Sequence, residues 1–148
     1  MEDALKQAKR KALSLLEHMD RTEAGLRQKL REKSYSEEVI DQALDYVKSF
    51  GYINDTSYAE RYILNKQTAK SRREIYMSLS QKGVSREDIE CAMESCYEAE
   101  SETEAIRRLC EKKHFSAEDS SDAEKQKMYG YLVRKGFRSE DVRRILKV

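Results

Sequence analysis

Apolar residues recur along this chain at one helical spacing, three times over. Ile40, Ala43, Leu44 and Val47 stand at i, i+3, i+4 and i+7; Ile89, Ala92, Met93 and Cys96 repeat the series, and Val142, Ile145 and Leu146 begin it again. That spacing gathers apolar side chains on one stripe of an α-helix. The segment ahead of each stripe recurs too: Leu26, Leu30 and Lys33; Ile75, Leu79 and Lys82-Gly83-Val84; Met128, Leu132 and Lys135-Gly136-Phe137. A helical unit of roughly 50 residues is therefore used three times. The expected fold is all-α, an elongated curved array of three tandem three-helix (helix-turn-helix-like) repeats over residues 1–54, 55–100 and 101–148. Each stripe is too small to bury itself without its neighbours.

Within repeat one, the pattern predicts helices over about 3–19, 23–33 and 37–50. Leu5, Ala8, Ala12, Leu15 and Leu16 line one side of the first. Ser36, ahead of Glu37 and Glu38, suits an N-cap, and Gly51 suits the left-handed position past a helix end. Asn54-Asp55 supplies turn and cap chemistry at the opening of repeat two, where Tyr58, Ala59, Tyr62 and Ile63 make an inward face. Ser71-Arg72-Arg73-Glu74 has capping-box spacing, Gly83 ends that helix, and Ser85-x-x-Asp88 caps the next. In repeat three, Ser101-x-x-Glu104 is expected to cap a helix carrying Ala105, Ile106, Leu109 and Cys110. Residues 116–122 read as a loop, 125–135 as a helix ended by Gly136, and 139–147 as the last helix.

Composition narrows the function more than the fold. Proline and tryptophan are absent and 39% of residues are charged, which suits narrow helices with much exposed surface. Nine Tyr against three Phe suggest aromatic anchors with one wet edge. The net charge of +1 hides an imbalance: residues 101–148 carry 12 basic and 9 acidic side chains, whereas the two earlier thirds are slightly acidic. A balanced total argues against a general electrostatic coat for DNA and favours a protein partner, or DNA contact confined to one face. No Gly-rich phosphate loop and no Ser or Cys set beside a base appears, so no enzyme activity and no cofactor are expected. Cys91, Cys96, Cys110 and His114 do not make a metal site. At about 100° per residue, Cys91 and Cys96 point about 140° apart on a helix; the cysteines read as small core hydrophobes. Met1-Glu-Asp opens without an apolar leader, no apolar run approaches the ~20 residues of a membrane span, and three cysteines give no disulfide framework. A cytoplasmic monomer is the expectation.

The junction Lys48-Ser-Phe-Gly-Tyr-Ile-Asn-Asp-Thr-Ser-Tyr-Ala, with Arg21 ahead of Leu26-x-x-x-Leu30, resembles the RecX family of bacterial recombinase regulators. The Lys-Gly-Val and Arg-Lys-Gly-Phe turns at 82–84 and 134–137 agree with that family's second and third repeats, and the resemblance covers essentially the whole chain. Two departures are Lys33-Ser34-Tyr35, where the family commonly has a middle Gly, and Lys70-Ser-Arg-Arg, which lacks a Gly or Pro often found there. The resemblance implies a partner, RecA and its nucleoprotein filament, whose recombinase and co-protease activities the chain would limit. Of the motif residues Arg21, Gly51, Tyr52, Ile53, Asn54, Asp55, Tyr58 and Ala59, most have a structural expectation. Gly51 supplies positive φ, Tyr52 and Ile53 fill the corner between repeats, and Asp55 caps.

Charge is patterned by the repeat. Second helices carry Arg27, Lys29, Arg31 and Lys33, then Arg72, Arg73 and Lys82, then Lys125, Lys127, Arg134 and Lys135. Third helices open with Glu37, Glu38 and Asp41, then Glu87, Asp88 and Glu90, then Glu140 and Asp141. Two readings stand at this point. Helix macrodipoles alone favour acids at helix starts, which makes the charges solvated faces. Alternatively the basic residues form a binding stripe, with Lys66, Lys70, Arg72, Arg73, Lys127, Arg134, Lys135, Arg143 and Arg144 as its members. Each corner between second and third helices resembles a DNA-reading helix-turn-helix, but the helix that would enter the groove starts with carboxylates that phosphates repel. Weak nonspecific DNA contact through the basic stripe survives that argument.

Overall fold

The structure, a computed structural model, describes residues 2–148. Among the described residues there are nine helices and no strand: α1 Glu2–His18, α2 Glu23–Glu32, α3 Glu37–Ser49, α4 Asp55–Lys66, α5 Arg72–Gln81, α6 Arg86–Cys96, α7 Ser101–Lys112, α8 Asp122–Arg134 and α9 Ser139–Leu146. They are distributed over two compact units, one running up to Ala59 and adding Leu79–Cys91, the other made of Glu60–Ser78 and Ala92–Val148.

In the first unit α1, α2 and α3 pack on one another, closing a core of Ala8, Ala12, Leu26, Leu30, Ile40 and Leu44. In the second, α9 packs on α7 and α8 over Ala105, Ile106, Leu132, Phe137, Val142 and Leu146. The first and third stripes read from the sequence lie in these cores, with Ile145 at the margin of the second. Side chains such as Leu30 and Leu132 retain no exposure, which makes burial of the stripe the main favourable term.

Helix starts follow local chemistry. Ser36 Oγ accepts the Val39 N–H at 3.2 Å, and Asn54 Oδ1 accepts that of Ser57 at 3.0 Å. Ser71 and Glu74 make the full capping box, with bonds of 3.0 and 3.2 Å; Ser85 Oγ accepts from Asp88 N at 3.2 Å.

Two expectations fail in repeat three. Ser101 does not cap α7: it is buried, and its hydroxyl donates instead to Gln67 Oε1 at 3.1 Å. Gln67 Oε1 also takes the Glu98 N–H at 3.1 Å, so a buried amide oxygen outcompetes the local cap. And α8 begins at Asp122, not near 125, because Ser121 and Glu124 form a complete capping box. The Ser-x-x-Glu spacing is in the sequence, starting at Ser121 within the stretch read as loop and ending just past it at Glu124.

The repeats are joined by one arrangement used twice. In the first unit the Thr22 hydroxyl, at the N-cap of α2, donates to the Lys82 carbonyl at 2.7 Å. In the second the Ser71 hydroxyl, ahead of α5, donates to the Lys135 carbonyl at 2.7 Å. The first N–H of each of these helices finds a carboxylate from the following repeat: Glu23 N–H to Asp55 at 2.9 Å, and Arg72 N–H to Glu102 at 2.9 Å.

The glycine after each lysine is what permits the approach. A Cβ on Gly83 (φ +90°) would lie 2.3 Å from Ala24 Cβ, and one on Gly136 (φ +100°) 2.9 Å from both Arg73 Cβ and Ser71 Oγ. Ser34 holds the equivalent left-handed position in repeat one, with φ 66°.

Candidate functional site

The family-motif residues divide between joint and surface. Arg21 donates from Nε to the Leu15 carbonyl at 3.3 Å, occupying a carbonyl of the last turn of α1. Gly51 has φ +73°, and a methyl group there would meet nothing within 4 Å, so this glycine answers a backbone need alone. Ile53 and Ala59 are buried and Tyr58 half-buried. Asp55 caps, but across the joint on α2. Burial pushes its carboxyl above the ordinary value against the opposing Glu23 N–H bond, with the Glu23 and Asp88 carboxylates pushing the same way as burial and Lys48 the other.

Tyr52 is a correction. It is 55% exposed and fills no corner; its ring stacks on Phe50 at 5.6 Å, and Phe50 is itself 57% exposed. Tyr46 meets Phe50 edge-on at 5.1 Å, and Lys9 Nζ lies 4.5 Å from the Tyr46 ring centre. An aromatic pair that touches itself leaves the corner to Ile53.

The proposed stripe is not continuous across second helices. In repeat one two of its four cations are engaged by the acids at the start of α3: Arg27 reaches Glu37 at 3.0 Å and Asp41 at 2.8 Å, and Arg31 reaches Glu37 at 2.5 Å. Arg31 and Arg27 hold the Glu37 carboxyl below its usual range. These exposed pairs are worth little to stability, but they engage both arginines of α2 within the repeat.

In the second unit the outcome differs. Lys66, Lys70 and Lys135 line one cavity of about 420 Å³ with Lys112, Lys113, Glu74 and Tyr131. Lys127 and Arg134 line another, of about 580 Å³, together with Lys113, His114, Glu124 and Tyr131. Lys113 and Tyr131 belong to both. Lys113 Nζ stands 4.3 Å and Lys135 Nζ 5.4 Å from the Tyr131 ring centre, so the ring's π face steadies two ammonium groups.

Lys66 and Lys112 close α4 and α7, and Lys135 follows α8, so three helix C-termini deliver the cations. Lys112 and Lys113 were missed in the sequence. Their signal, a basic pair at a helix end, looks like ordinary dipole compensation until the fold brings Lys66 and Lys70 beside it.

The remaining stripe members lie elsewhere. The Arg72 guanidinium sits 5.7 Å from the Tyr97 ring centre, and the Arg73 stem packs beside Gly136. Arg143 lies 5.5 Å from the Tyr129 ring centre. Arg144 bonds Asp141 at 3.2 Å and Thr103 at 3.3 Å, in a cavity that also holds Glu98, Glu100 and Glu104. The Tyr97 hydroxyl is buried, and burial together with nearby Glu102 pushes its ionisation well above the ordinary tyrosine range, keeping it protonated.

The cysteines are not uniformly core residues: Cys110 is buried, Cys96 half-buried and Cys91 exposed. Burial pushes the Cys110 thiol up, away from reactivity. Among the described residues no His, Cys, Asp and Glu gather in a metal-holding group, and no helix is long and apolar enough to cross a membrane.

Three family models match in chain order: the first three-helix domain of RecX over residues 8–46, the second over 54–93 and the third over 100–146. The chain belongs to the RecX family.

Among RecX relatives, the chain is 40% identical over 144 residues to Regulatory protein RecX of Caldanaerobacter subterraneus subsp. tengcongensis, covering 97% of this chain and 71% of that one. It is 36% identical over 139 residues to Regulatory protein RecX of Clostridium perfringens, covering 92% and 65%. The chain thus spans 65–71% of the length of these two relatives. A crystal structure of RecX from Lactobacillus salivarius shares the fold at a TM-score of 0.80 and 24% identity, over 99% of this chain and 97% of that one. Another, of a regulatory protein RecX, superposes at 0.85 with 26% identity, over 99% and 75%. These relatives carry the name of a regulator.

Proposed function

We propose that this chain binds RecA and the filament RecA forms on DNA, and modulates, chiefly inhibits, its recombinase and co-protease activities. It does so in the cytoplasm, as a monomer, without catalysis or cofactor, in the service of DNA repair and the SOS response. The observation that supports this reading is membership of the RecX family with all three of its domains present in order. Repeats 1–54, 55–100 and 101–148 offer contacts in series, and several modest contacts reinforce one another when their geometry allows simultaneous engagement. The proposed contact residues are Lys66, Lys70, Lys127, Arg134 and Lys135 at the two basic cavities, with Arg72, Arg73, Arg143 and Arg144 beyond them.

A sequence-reading DNA-binding protein is the rival. The first turns of α3, α6 and α9 carry Glu37 and Glu38, Glu87 and Asp88, and Glu140 and Asp141, which disfavours their entry into a groove walled by phosphates. The test is RecA strand exchange and ATPase activity titrated with this protein, wild type and Arg72→Glu/Arg73→Glu. Inhibition at or below equimolar ratios, weakened and less salt-sensitive in the variant, is expected. No effect on RecA, together with tight binding to one duplex sequence, would transfer the reading to the rival.

A further inference from the structure

We propose that the cavity ringed by Lys66, Lys70, Lys112, Lys113 and Lys135 is a binding site for a polyanion built of linked phosphates. Five lysines line about 420 Å³ with one acidic residue, Glu74. That carboxylate is already engaged twice: Oε2 lies 3.6 Å from Lys135 Nζ, and Oε1 accepts the Ser71 N–H at 3.2 Å. Among the described residues no carboxylate lies within the 4.0 Å of an ion pair from Lys66, Lys70 or Lys112.

Helix dipoles account for one basic residue at each of the three helix ends, not for five cations around a shared space. Like charges so placed repel, and an anion entering the cavity turns that repulsion into attraction. The residue type points to phosphate. Lysine brings a compact charge and three rotatable donors on a flexible stem, which suits the several oxygens of a tetrahedral anion better than the planar fork of arginine does. The neighbouring cavity shares Lys113 and Tyr131 and adds Lys127 and Arg134, so a second phosphate in the same ligand finds cations waiting.

Two sources present this chemistry: a free polyphosphate and the phosphodiester backbone of a single nucleic-acid strand. The inference rests on the reading above in taking this basic face as a contact surface; its test uses the full chain without RecA. Tripolyphosphate and a short single-stranded oligothymidylate are titrated calorimetrically at low salt. The protein is wild type, the cavity variant Lys66→Gln/Lys70→Gln/Lys112→Gln, or the charge-matched control Lys6→Gln/Arg10→Gln/Lys33→Gln. Wild type and control are expected to bind. The cavity variant should bind about tenfold or more weaker, with a shallower salt dependence, because ion contacts are lost.

A loss for both probes assigns the site to a phosphodiester strand as well as to free phosphate; a loss for tripolyphosphate alone assigns it to free phosphate. If the triple variant melts early in circular dichroism, Lys70→Gln/Lys112→Gln, which keeps the lysine closing α4, replaces it, with a loss of about threefold or more expected. Absence of binding to either probe by the wild type overturns the proposal, as does equal weakening in the control. A protein that inhibits RecA but binds neither probe overturns this inference and leaves the proposed function standing; one that binds phosphate without affecting RecA does the reverse.

Discussion

Replacing Gly83 by Ala tests whether the joint, rather than the backbone conformation, demands glycine. Gly83 and Gly51 both have positive φ, +90° and +73°, so a methyl group strains each backbone by a comparable amount. That strain is about 1–2 kcal/mol, reduced by the entropy that alanine removes from the unfolded chain, about 0.4–1 kcal/mol. Gly51→Ala meets nothing within 4 Å and should therefore cost about 1 kcal/mol.

At Gly83 the new carbon would stand 2.3 Å from Ala24 Cβ, more than an ångström inside contact. Relief requires α2 to back away, and the nearest interaction to be stretched is the 2.7 Å bond from the buried Thr22 hydroxyl to the Lys82 carbonyl. Loss of a buried hydrogen bond costs about 1–3 kcal/mol, so Gly83→Ala should destabilise by about 2–4 kcal/mol. Ala24→Gly removes the opposing methyl at a helix-propensity cost of at most about 1 kcal/mol.

In that background Gly83→Ala should cost only the backbone strain, giving a favourable coupling of about 1–3 kcal/mol in a double-mutant cycle. Urea denaturation followed by circular dichroism supplies the four free energies. Additivity within about 0.5 kcal/mol, or an equal cost at Gly51 and Gly83, would refute the steric argument and return the whole demand to φ.

Two further outcomes follow from the core and the cap. Leu30→Ala and Leu79→Ala, both fully buried, should each cost about 2–5 kcal/mol in the same assay; a loss below about 1 kcal/mol would mean that the apolar stripe does not form the core. Asp55 has a folded-state pKa above its unfolded value, chiefly from burial, so its titration contributes stability that is fully present below the unfolded pKa and is lost as pH rises through the folded one. Asp55→Asn keeps an acceptor for the Glu23 N–H without the charge. Relative to wild type it should therefore gain stability as pH rises above the ordinary Asp range, about pH 4, whereas Asp55→Ala should lose about 0.5–2 kcal/mol as a broken cap. An Asn variant that loses ground above that range would show the charge itself to be favourable there.

The sequence by itself determined the elements and the family. Apolar spacing of i, i+3, i+4 and i+7 marks a buried stripe whatever surrounds it, and Ser36, Ser71 and Ser85 cap their helices through bonds only three residues long. Glycine at 51, 83 and 136 shows that the chain must turn with positive φ, a requirement set by the backbone alone. Tertiary structure decided the purpose of those residues. Gly83 and Gly136 are positions of close approach while Gly51 is not, because only the first two have a helix start set against them. Ser101 has the spacing of a cap, yet gives its hydroxyl to Gln67, 34 residues away, since a buried acceptor is costly to leave empty. The charges followed the same division. Identical-looking basic residues on α2 and around Lys66 are neutralised in one place by Glu37 and Asp41 and gathered without sufficient counter-charge in the other. A Coulomb interaction depends on separation in space, and lysines at positions 66, 70, 112, 113 and 135 become neighbours only when the ends of α4, α7 and α8 are brought to one cavity.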